Sequence, residues 1–103
     1  MRDIETLRAA IDRIDRKIQG LFEERMNAVD EVAAIKKAGG VPVADPAREE
    51  ELLDSLAGRA STPQLGEEIV CLYREMLSLS RARQERDRAQ AAAEDTAGFF
   101  REQ

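Results

Sequence analysis

Arg25, Lys36, Ser80 and Gln84 each fall in the phase of an apolar helical stripe, where a sequence built for packing alone would carry Leu or Ile. Long cationic and amide side chains aimed into a helical interior imply a polar occupant, because burying such groups without a partner is costly. The chemistry they suit is the capture and orientation of an anion. Arg25 and Lys36 are eleven residues apart, which at 100° per residue returns to within about 20° of the same direction. Arg25 also continues the series Ile18, Leu21. Ser80 and Gln84 extend the Ile69, Tyr73, Met76 stripe in four-residue steps, so one wall of the same interior turns polar. Taken singly, each is ordinarily a snorkelling cation or a polar group bonded to backbone. The set of four is not explained that way.

Two further groups bear on the same chemistry. Asp45-Pro46-Ala47-Arg48-Glu49 puts a cation and two carboxylates at the start of the next helix, a short link away from Lys36. Capping and solvated charge are the alternative reading of that segment. Arg8 lies 17 residues before Arg25, some 26 Å along one helix, and about 42 Å from Lys36. One small ligand cannot touch all three in a single chain. Two first helices running antiparallel and crossing near their middles would bring Arg8 of one chain beside the Arg25-to-Lys36 segment of the other. Gly20 would then lie near the crossing, where close helix approach accounts for a mid-helix glycine that costs about 1 kcal/mol against alanine.

The elements that must position these residues are helical. Residues 3–38 contain no proline and one glycine, and Ile4, Leu7, Ile11, Ile14, Ile18 and Leu21 recur at spacings of three and four, the pattern of one helical face. Lys36-Lys37 suit the negative end of this first and longest helix, and Gly39-Gly40 supplies a left-handed stop. Val41-Pro42-Val43-Ala44 reads as an extended link, and Asp45-Pro46 as an N-cap followed by proline at the first helical position. The second helix runs to about Gly58 with Leu52, Leu53 and Leu56 inward, before Ser61-Thr62-Pro63 punctuates the chain. A third begins between Thr62 and Gly66, carries Leu65, Ile69, Leu72, Tyr73 and Met76 as its stripe, and continues at least to Arg86. No strand pattern or repeat is visible, so the expected fold class is all-α with three helices per chain. The domain is placed at residues 1–90. In the tail, residues 91–103, Thr96-Ala97-Gly98 reads as a helix break and Phe99-Phe100 has no evident partner.

At 103 residues and 43% hydrophobic content the chain suits one small domain. A net charge of −5 and a pI near 4.8 argue against general nucleic-acid binding, and an acidic chain that takes an anion must concentrate its positive charge locally. With one cysteine, Cys71, read as a small packing residue, and no histidine, an internal disulfide, the usual zinc ligand sets and histidine-based triads are excluded. The start, MRDIETLRAAID, has no apolar signal core, and no run approaches the roughly 20 apolar residues of a membrane span. A cytoplasmic protein without a membrane partner is expected. A first helix of about 36 residues spans roughly 54 Å, whereas a compact domain of this size has a radius of gyration near 13 Å. Two shorter helices cannot cover that rod, and a second copy is the simplest cover. An extended coiled-coil dimer without a site is the alternative, weakened because the a/d repeat holds for only about three heptads before Arg25 interrupts it.

Taken together, LRAAIDRIDRKI, then Arg25, Lys36, PVADPAREEELL and SRARQ resemble the all-helical, AroQ-type chorismate mutases over about residues 4–86. The resemblance implies an intertwined homodimer of three-helix chains with two active sites, each completed by an arginine of the neighbouring subunit, which Arg8 matches. It implies that Arg25 is the second carboxylate-binding arginine, that Lys36 contacts a carboxylate and the ether oxygen of chorismate, and that Gln84 donates to that oxygen. Arg48 and Glu49 match the pair near the ring hydroxyl, with Glu49 its partner, while Asp45 and Ser80 match the remaining polar lining. On this reading Arg25, Lys36, Glu49 and Gln84 are catalytic, Arg8, Asp45, Arg48 and Ser80 join them in binding substrate, and no metal or cofactor takes part.

The implied reaction is the Claisen rearrangement of chorismate to prephenate in aromatic amino-acid biosynthesis. It is unimolecular, so it needs no nucleophile or proton shuttle. Cationic forks that grip both carboxylates hold the enolpyruvyl arm over the ring, and donors at the ether oxygen stabilise charge that grows there in the transition state. An isochorismate-pyruvate lyase of the same fold is the nearest alternative, which Asp45, Glu49 and Ser80 match less well. A helical dimerisation or regulatory module without catalysis is the other.

Overall fold

The computed structural model describes the backbone of residues 2–102 and the side chains of residues 2–94. Asp3 starts the first helix, α1 (Ile4–Ala38), by accepting from the Thr6 N–H at 2.8 Å. The helix closes where Gly39 N–H reaches Ile35 O at 3.1 Å and Val41 N–H reaches Lys36 O at 2.8 Å. Gly40 supplies the left-handed conformation there, at φ 66°. Asp45 then caps α2 (Pro46–Arg59), its carboxylate accepting from the Arg48 N–H at 3.1 Å. Thr62 Oγ1 takes the Leu65 N–H at 3.1 Å at the start of α3 (Pro63–Glu102). The described residues contain no strand. The helix boundaries agree with the sequence reading except at the end of α3.

That helix continues through Thr96-Ala97-Gly98, where a break is expected from sequence, so that α3 with 40 residues, and not α1 with 35, is the longest helix. No proline follows Pro63, and one glycine costs about 1 kcal/mol, too little to stop a helix entered from an alanine-rich run. The Phe99-Phe100 pair lies outside the described side chains.

The third helix is the hub, packing against both α2 and α1, whose backbones do not approach each other. Its crossing with α2 is close: a Cβ on Gly66 would stand 3.3 Å from Ala57 O and 3.5 Å from Ala60 Cβ. One of its ties to α1 is a two-pronged ion pair, Arg83 Nε and Nη2 donating to Asp30 at 2.6 and 2.9 Å. The Arg83 bonds hold the Asp30 carboxyl below its ordinary value, and Asp30 in turn raises Arg83.

The result is a rod of 73 × 31 × 16 Å with a radius of gyration of 19.1 Å, far above the roughly 13 Å of a closed domain of this length. Its surface of 8259 Å² exceeds the roughly 5,800 Å² expected of a compact monomer of this mass. Part of that surface is the apolar stripe of α1, where Ile11, Ile14 and Ile18 are 53, 53 and 56% exposed. Nothing within the chain comes within 4 Å of a Cβ built on Gly20. Cys71 is exposed too, so it packs no part of this chain's own interior, contrary to the sequence expectation. Among the described residues no helix is long and apolar enough to cross a membrane.

Candidate active site

Most of the best-buried side chains line one cleft. Val43 and Leu77 are buried there together with two polar residues, Ser80 and Gln84, and Met26 is buried next in sequence to the cleft residue Arg25. The cleft measures about 260 Å³ and lies where the C-terminal half of α1, the first turn of α2 and the middle of α3 converge. Seven of the eight candidate residues line it: Arg25, Lys36, Asp45, Arg48, Glu49, Ser80 and Gln84. Val29, Val32, Val43, Leu52 and Leu77 form its apolar walls.

Each polar member is held by a specific local device. Arg25 donates to Ser80 Oγ at 2.8 Å, and the same hydroxyl donates to Met76 O at 2.8 Å, so the serine is turned to offer its lone pair to the guanidinium. The Arg25 guanidinium carbon also lies 5.8 Å from the centroid of the Tyr73 ring. Lys36 Nζ donates to Val43 O at 2.8 Å, folding the α1–α2 link back over the end of α1. Both cations are thus fixed by neutral groups, which leaves their charge uncancelled.

Gln84 is buried, and among the described residues its Oε1 is the one buried side-chain oxygen or nitrogen without a hydrogen-bond partner. Leaving such a group unpaired costs about 1–3 kcal/mol, a cost that points to a functional position. Asp45 spends its carboxylate on the α2 cap. Arg48 lies at the rim, exposed, with only a 3.5 Å contact to Glu51 one turn on, an arrangement worth little in water.

Arg8 is not part of the cleft. It is exposed on α1, 17 residues before Arg25, so it is separated from the site by about 26 Å of helix. A residue that sequence reasoning passes over, Arg81, does line the cleft and pairs with Glu49. Counting Arg25, Lys36, Arg48 and Arg81 against Asp45 and Glu49, the lining carries two more positive than negative charges, in a chain whose net charge is −5. A cleft with a net positive lining, walled by apolar side chains, concentrates anions. What it can do chemically is bind a small anion by fixed donors and hold it away from bulk water.

Comparison with known proteins bears on which anion. The family described as chorismate mutase type II matches residues 7–85, an interval that includes all eight candidate residues. The bifunctional chorismate mutase/prephenate dehydratase of Aquifex aeolicus (strain VF5) is 32% identical over 83 residues, covering 76% of this chain and 23% of that protein. The chorismate mutase of Methanocaldococcus jannaschii is 42% identical over 50 residues, covering 48% of this chain and 50% of that protein. The chain therefore spans half or less of the length of these two relatives. Among solved structures, form II of the chorismate mutase from Thermus thermophilus superposes with a TM-score of 0.77 at 36% identity, covering 81% of this chain and 94% of that one. Form I of the same protein gives 0.71 at 36% identity over 75% and 96%.

Proposed function

The chain belongs to the chorismate mutase type II family, and from that premise we propose that it catalyses the rearrangement of chorismate to prephenate. The observation that carries the proposal is the pairing of two uncancelled cations, Arg25 and Lys36, with a buried amide, Gln84, on one positive cleft of an acidic chain. Arg25 and Lys36 grip the substrate carboxylates and restrict the enolpyruvyl arm to its reactive fold. Lys36 and Gln84 donate to the ether oxygen as the C–O bond breaks, which favours the transition state over the ground state. Glu49 takes the ring hydroxyl, Arg48 stands beside it, and Asp45 and Ser80 complete the lining.

The site is completed by Arg8 of a second copy, whose α1 covers the exposed stripe of the first. Residues 1–90 make up this catalytic domain.

Incubating the purified protein separately with chorismate and with isochorismate tests the reaction. Loss of chorismate with matching appearance of prephenate is expected. Pyruvate released from isochorismate alone would replace the mutase reading with a lyase, and inertness toward both would leave a helical interaction module. Mixing Arg8→Ala and Lys36→Ala chains tests the shared site. Random pairing puts half of the chains in heterodimers with one intact site each, so about a quarter of wild-type activity should return. No recovery after verified subunit exchange rules out Arg8 donation across the interface.

A further inference from the structure

Arg81 is the cleft residue that no stripe reveals, and its partner distinguishes it from the other cations. Arg25 is held by a hydroxyl and an aromatic face, and Lys36 by a backbone carbonyl. Arg81 instead donates from Nη1 to Glu49 Oε1, a carboxylate that cancels its charge. A cation already neutralised by a protein carboxylate is a poor anchor for a substrate carboxylate, so Arg81 suits a different task from its neighbours.

The position of the pair indicates which. Arg81 and Glu49 are 38 and 25% exposed, both line the cleft, and they form the polar side-chain tie between α2 and α3 among the described residues. Glu49 sits in the first turn of α2, a helix whose backbone does not approach that of α1. Without the tie, the Glu49 side chain has no described partner to choose its rotamer. With it, Oε1 is occupied by Arg81 and Oε2, which takes no hydrogen bond among the described residues, is left to accept from a ligand.

We propose that Arg81 is a positioning residue that acts through Glu49, fixing the plane of its carboxylate so that Oε2 meets the ring hydroxyl of the substrate. The proposal rests on the mutase reading for the identity of that hydroxyl. It does not rest on that reading for the effect of Arg81 on Glu49.

The test compares wild type, Arg81→Met, Arg81→Lys, Glu49→Gln and the Glu49→Gln/Arg81→Met double variant, each confirmed folded by its melting transition. Substrates are chorismate and the analogue in which hydrogen replaces the ring hydroxyl. Arg81→Met should lower kcat/KM for chorismate about tenfold, and should add no loss in the Glu49→Gln background. Arg81→Lys, which still donates to Glu49, should recover most of the loss. The analogue should be turned over equally by wild type and Arg81→Met.

Equal losses on both substrates that add to those of Glu49→Gln would make Arg81 a direct anchor or a general structural strut and overturn the proposal. No loss on either would overturn it as well. A crystal structure of unliganded Arg81→Met supplies the second reading: Glu49 should leave its rotamer, and an unchanged Glu49 defeats the proposal whatever the activity. If wild type fails to convert chorismate while Glu49 still moves, the mutase reading falls and the positioning role stands.

Discussion

The two halves of α1 invert the usual rule of burial. From Ile4 to Leu21 the helix presents a regular apolar stripe to solvent, whereas from Arg25 to Lys36 its inward face carries cations held against the most deeply buried residues of the molecule. Apolar surface in water costs about 25 cal/mol per Å², and polar groups in an interior cost more unless partnered. One helix bearing both faults at once is hard to explain by stability. Each half becomes sensible if it is unfinished alone, the stripe lacking a helix to cover it and the cleft lacking an anion to fill it. The two are then one device: a long helix built to pair along its first half can hold a substrate along its second.

The comparison breaks first at the cleft. Lys36→Ala should lower kcat/KM by about 10²–10³-fold, the range for loss of one preorganised donor, while leaving the melting temperature within a few degrees. Steady-state kinetics on chorismate measure it. Full activity would mean that the half-buried cations are structural and that the inversion has no chemical purpose.

Gln84→Glu is the next in size. Only a protonated carboxyl can donate to the ether oxygen, so activity should survive at acid pH and fall about 100-fold by pH 8. A pH profile that stays parallel to wild type removes Gln84 from the mechanism.

How far this contrast is readable in the sequence depends on the number of faces a helix uses. Each half of α1 carries its signal on one face, so period alone phases Ile4 to Leu21 and then Arg25 and Lys36, and the Gly39-Gly40 stop and Asp45-Pro46 cap are local signals of the same kind. The third helix contacts two partners. A single stripe through Ile69, Tyr73, Met76, Ser80 and Gln84 recovers the face toward α1, but Arg81, one residue on from Ser80, serves the face toward α2. Its signal is a charge partner in a different helix, which periodicity cannot contain. The continuation of α3 past Gly98 escapes a sequence reading for a different reason, since a weak local breaker is outweighed by the helix that feeds it. Arg8 is singled out by charge and resemblance, and its distance from the cleft follows from helix rise alone.

The apolar half is sharpened by Ile14→Ala. Exposed in one chain, it would matter by less than about 0.5 kcal/mol if it stayed in water. Covered by a second copy, the same truncation costs about 2 kcal/mol or more per chain, and both melting temperature and its dependence on protein concentration should report it. Chemical denaturation at two concentrations distinguishes the cases. An effect within error at both would leave the stripe uncovered and detach it from the site.

The smallest effect lies within the polar half itself, where Asp30 and Arg83 fasten α1 to α3. Arg83 holds the Asp30 carboxyl below its ordinary 3.8. A lowered carboxylate contributes stability that is fully present above the unfolded value and disappears as pH falls through the folded one. Both side chains are more than a third exposed, at 38 and 39%, so screening keeps the contribution small. Asp30→Asn should therefore destabilise slightly at pH 7, and the gap from wild type should close in acid below the ordinary carboxylate value and narrow in molar salt. Urea titrations at pH 7 and pH 3 measure the gap. Equal gaps at both would mean that the pair acts by shape rather than charge, and that the polar half of α1 is held to α3 by the Arg25–Ser80 hydrogen bond and apolar packing instead.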